Sequence, residues 1–159
     1  MRSIVICGFV LLGMVSQAVA ENYSVSRHIL DLLECKVKPN PTLSFSYLQK
    51  EGVIGTKIDP GSLDGVSCFK TKSELLIEDL VIEAVCGYSS DQISNSIRPG
   101  LYGQPTIETP EAMIGLVSNQ DFEMILNWSE RFMPDAPKSI GTPYLVPAEG
   151  KTMIMCEYE

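Results

Sequence analysis

The chain has 159 residues, with 20 acidic and 12 basic side chains, one histidine, a formal net charge of −8 and 45% hydrophobic residues. That excess of carboxylates argues against nucleic acid and against anionic membrane surfaces as partners, because both recruit Lys and Arg. It favours solubility and is compatible with a cationic partner.

Met1 to Ala20 reads as a secretory signal. Arg2 supplies a positive start, Ile4 to Val15 is an apolar run interrupted by Cys7, Gly8 and Gly13, and Ala18-Val19-Ala20 presents the small residues of a cleavage site. The run is shorter than the roughly 20 residues of a membrane span. Cys7 lies inside it and not at its end, which argues against a lipoprotein. Cleavage after Ala20 is expected, giving a periplasmic or secreted product without a stable membrane anchor. The expected product, 21–159, has 139 residues with 11 basic against 20 acidic side chains, a net charge of −9. That is the size of one domain.

Four cysteines remain, Cys35, Cys68, Cys86 and Cys156. An even number in an exported chain predicts two disulfides. With no C-x-x-C spacing, neither a zinc knuckle nor a thioredoxin-type pair is indicated. Three pairings are open, and any bridge to Cys156 would tie the last strand to the body of the domain.

Ser24 to Cys35 has helical spacing at Val25, Ile29, Leu32 and Leu33. Asn40-Pro41 reads as an N-cap followed by proline at the first helical position, and Gly52 stands where that second helix would end. Gly55, Pro60, Gly61 and Gly65 then mark a loop, with Asp59-Pro60-Gly61 as its turn. Val66 to Phe69 and Glu74 to Ile77 are short β-type runs, and Leu80 to Tyr88 is a strand covered on both faces, which Gly87 is expected to end. A helix over Glu74 to Val85 is the competing reading.

Ser89 to Glu108 holds Pro99, Gly100, Gly103 and Pro105 and reads as a long loop. Thr109-Pro110-Glu111 resembles a helix start, yet Ala112 to Val117 is equally compatible with a strand. Gln120 to Phe132 is a helix with Phe122, Ile125, Leu126, Trp128, Phe132 and Met133 on one side, ended by Pro134. Ile140 to Val146 and Lys151 to Tyr158 form a terminal hairpin, with Pro143 indicating an edge strand. The predicted fold class is α+β: a small single domain, an antiparallel sheet with an N-terminal helical pair and a later helix packed on it, and two disulfides.

Chemistry-bearing motifs are sparse. The lone histidine, His28, sits on the first helix and reads as a residue without a catalytic role. Gly65-Val66-Ser67-Cys68 lacks the closing glycine of a nucleophile elbow. No metal-binding spacing and no phosphate loop occurs, so neither metal nor cofactor is expected. Asn22-Tyr23-Ser24 and Asn127-Trp128-Ser129 match the glycosylation pattern but are set aside, because the signal has bacterial character.

The features suited to binding are Glu74, Glu78, Asp79 and Glu83, in and around a predicted hairpin turn, and Arg98 with Tyr102 in the long loop, residue types that anchor interfaces. Export, small size, bridges and acidity together favour a protein-binding domain over an enzyme. Its sharpest form is an inhibitor or immunity protein whose partner is a basic, envelope-acting toxin or hydrolase. The rival expectations are a secreted hydrolase or effector using carboxylates, and a small-ligand or envelope-assembly module.

Overall fold

A computed structural model of the chain describes residues 25–91, 96, 98–103 and 110–158. The signal segment Met1 to Ala20, and 104–109 of the long loop, lie outside the described residues.

The first helix, α1, spans 25–33 and buries Val25, Ile29 and Leu33, four residues apart along one stripe. The second, α2 (Pro41–Lys50), starts as the sequence predicts: Asn40 Oδ1 accepts the Leu43 N–H at 3.1 Å. At its end the Val53 N–H donates to the Leu48 carbonyl and the Gly52 N–H to that of Gln49. Gly52 takes φ +73°, the left-handed conformation this helix end requires.

Five strands follow: β1 (Ser67–Ile77), β2 (Leu80–Ser89), β3 (Ala112–Ser118), β4 (Ser139–Gly141) and β5 (Thr152–Tyr158). They form one antiparallel sheet in the order β1-β2-β3-β5-β4. The third helix, α3 (Phe122–Phe132), connects β3 to β4 and is capped by Asp121, whose Oδ1 accepts the Met124 N–H at 2.8 Å. The fold is therefore α+β; among the described residues, α1 and α2 precede the sheet and α3 is inserted within its sequence.

Register assigns the sheet's two faces. Gly87, Ile114 and Cys156 are aligned across β2, β3 and β5 and share a face. Helices cover that side: Cys156 is bonded to Cys35, which follows α1, and Gly87 lies beneath Pro41 and Phe45 of α2. Gly87 does not end β2. A side chain there would collide with α2, and the strand continues to Ser89.

Cys68, Cys86, Gly115 and Met155 align on the opposite face, where Cys68 and Cys86 stand directly across from each other and are bonded. The chain after β4 covers this side. Expected to continue as a strand to Val146, it leaves the sheet at Gly141 and runs back as a strap. The Tyr144 carbonyl lies 3.5 Å from Cys68 Sγ. The Leu63 N–H donates to that carbonyl and the Val146 N–H to Gly61. Leu145 is buried beneath. The 142–146 stretch thus joins the β4 edge to the loop before β1.

Candidate functional site

The β1–β2 hairpin is longer than the sheet it belongs to. β3 pairs only with Ala84–Ser89 of β2, and the register breaks between Lys70 and Leu75. Thr71 Oγ1 bridges the irregularity by donating toward the Ile82 and Glu83 carbonyls. The two short runs predicted at Val66 to Phe69 and Glu74 to Ile77 are therefore one strand interrupted by a bulge. The competing helix over Glu74 to Val85 does not form.

Beyond the bulge the hairpin rests on α1 and α3. Ser26 Oγ donates to the Leu76 carbonyl, Trp128 Nε1 to the Ile77 carbonyl at 3.2 Å, and the Val81 N–H to Gln120 Oε1. Ile77, Leu80 and Ile82 are buried. The turn is the pair Glu78-Asp79, with Glu78 at φ +57°.

The four carboxylates of the predicted acidic patch occupy this hairpin but fall into two settings. Glu74 and Glu83 line a cleft of about 490 Å³ together with Lys70 and Lys151, and Lys151 Nζ lies 3.1 Å from Glu83. Glu78 and Asp79 sit at the exposed turn, where Asp79 pairs with Arg131 of α3. The guanidinium beside Asp79 holds its carboxyl below the usual range.

Between the turn and α3 lies a smaller cleft of about 230 Å³, lined by Asp79, Gln120, Met124, Asn127, Trp128 and Arg131. Met124 is 52% exposed there. Leu76 of the hairpin and Phe122 at the start of α3 are also about half exposed, at 48% and 49%. The tip thus carries exposed apolar and acidic side chains on backbone anchored to α1 and α3. Sequence periodicity places Phe122 on the buried side of α3, but it is the first residue after the Asp121 cap and stays half exposed. Leu76, Met124 and Arg131 carried no sequence signal for this surface.

Arg98 and Tyr102 are used internally. Arg98 Nη1 donates to Gln49 Oε1 at 3.1 Å, and its guanidinium carbon lies 5.9 Å from the Phe69 ring centroid. Tyr102 is buried against Tyr88, and its hydroxyl is 3.0 Å from Thr42 Oγ1. Burial pushes its pKa up to about 12. Ser67 Oγ also bonds to the Leu101 carbonyl. These contacts fasten the described part of the loop to α2 and β1.

His28 packs against Tyr47 with ring centroids 4.5 Å apart. Burial lowers its pKa. Among the described residues, no three His, Cys, Asp or Glu side chains converge as a metal site, and no helix is long and apolar enough to cross a membrane. The two disulfides are compatible with a secreted or periplasmic protein. No family model matches the chain, and neither a curated protein nor a solved structure matches it.

Proposed function

We propose that the chain is an exported binding protein, released after Ala20, whose hairpin tip and adjoining face of α3 seat a protein partner with a basic surface. The role that fits is an inhibitor or immunity protein directed against an envelope-acting toxin or hydrolase. The observation that carries this reading is the half-exposed Met124 beside the Asp79–Arg131 pair. Leu76 of the hairpin and Phe122 of α3 are also about half exposed, and Glu74 and Glu78 add negative charge. Apolar side chains supply contact area at such a surface, while the acids speed encounter and fix orientation.

The test is capture of a partner from envelope extract by immobilised protein. Met124→Ala, and separately Glu74→Gln with Glu78→Gln, should weaken recovery of the same partner, since all three side chains are exposed. Equal recovery by wild type and both variants would remove this surface from consideration.

A further inference from the structure

Most basic side chains of this acidic chain are committed. Arg27, Lys36, Lys38, Arg131 and Lys151 pair with Asp31, Glu34, Glu111, Asp79 and Glu83. Lys138 donates to the Met133 carbonyl at the end of α3. Lys57 and Lys72, like Lys50 at the end of α2, are different: among the described residues none has a carboxylate within ion-pair reach, and all three are exposed.

Lys57 and Lys72 line one groove, of about 480 Å³, which Lys70 also lines. The backbone there is fixed, because the segment before β1 runs along that strand's outer edge. The Gly55 N–H donates to the Lys70 carbonyl, the Lys72 N–H to Val53, and the Asp59 N–H to Cys68, at 2.9, 2.9 and 2.7 Å. Asp59 is the one carboxylate in the lining, and its side chain is 6% exposed. Its Oδ1 accepts the Gly61 N–H, and its Oδ2 lies 3.1 Å from Lys70 Nζ. Asp59 therefore offsets Lys70 and leaves two ammonium charges without a counter-charge.

We infer that this groove binds a compact phosphate-bearing polyanion, with Lys57 and Lys72 donating to its oxygens and Lys70 held beside them by Asp59. Ammonium groups suit phosphate because they act as mobile point charges with several donors. The opposing charge of the whole molecule is screened over about 8 Å at physiological ionic strength, so the groove acts locally. Lys70 also lines the Glu74–Glu83 cleft, but none of Leu76, Glu78, Asp79, Phe122, Met124 and Arg131 lines this groove, so either assignment stands if the other fails.

The test is an NMR titration of the isotope-labelled protein with sodium tripolyphosphate, with hexaglutamate and phosphatidylglycerol vesicles as comparison ligands. Tripolyphosphate should give saturable shifts confined to 55–59 and 70–72. Lys57→Gln with Lys72→Gln should weaken binding by about tenfold or more, the effect of losing one charge-assisted hydrogen bond or two. Both substitutions are at exposed positions, and an unchanged melting temperature checks the fold. Lys36→Gln, at an ion pair outside the groove lining, should bind as wild type does. Unsaturable shifts, or equal binding by the double variant, would overturn the proposal. Equal affinity for hexaglutamate, or binding to vesicles alone, would overturn it in favour of an acidic protein or a lipid surface.

Discussion

Gly87 governs how closely α2 approaches the sheet. A Cβ built there would lie 2.7 Å from Pro41 Cβ and 2.9 Å from Phe45 Cζ, both on the helix. Gly87→Ala should therefore cost about 1–3 kcal/mol, read as a lower urea midpoint at unchanged slope. Tyr102 gives a second measurement at the same scale. Burial raises its pKa from 10.0 to about 12, so the native state keeps a proton that the unfolded chain releases first. The associated stability is fully present below about pH 10 and is lost as pH rises toward 12. Melting temperature should fall across that window in wild type and fall less in Tyr102→Phe. An identical decline in both proteins would exclude Tyr102 as the source. The variant should also be weaker at neutral pH, because Thr42 loses its partner.

Elements with their own start or stop chemistry were legible in the sequence. Asn40-Pro41 and Gly52 bound α2 because capping is decided within a few residues. The alternation of β2 was legible for the same local reason, whereas its continuation through Gly87 depends on a helix about 40 residues earlier in the chain. Ala112 to Val117 of β3 is compatible with strand or helix because it is apolar and buried throughout, and such a run lacks a period that separates the two. The strap after Gly141 carries strand-like residues, yet its carbonyls and N–H groups meet the loop before β1 and not a neighbouring strand. At the candidate site the acids were visible, but Arg131 is 52 residues from Asp79, a partnership only tertiary structure creates. The two bridges differ in reach, spanning 121 and 18 residues. On chain entropy alone, replacing both cysteines by serine should cost about 5 kcal/mol for Cys35–Cys156 and about 3 kcal/mol for Cys68–Cys86. Denaturant titration of the two double variants checks that order.

For the whole molecule, the proposed export would supply the oxidising conditions under which such bridges persist. Mass spectrometry of the protein recovered from the cell envelope or medium should find a chain beginning at Glu21 without free thiols. An intact Met1 to Ala20 segment, or four cysteines alkylated without reduction, would refute the compartment assignment. Charge makes a further expectation at this scale. If the partner is basic, association should slow as salt rises, while dissociation changes little. An association rate indifferent to salt would count against a cationic partner.

The Cys35–Cys156 link turns nearly the whole domain into a closed ring of chain. One cut by a protease anywhere between those two sulfurs opens the ring without releasing a piece. The nicked protein should keep its full mass on a gel run without reductant and fall into two fragments once thiol is added.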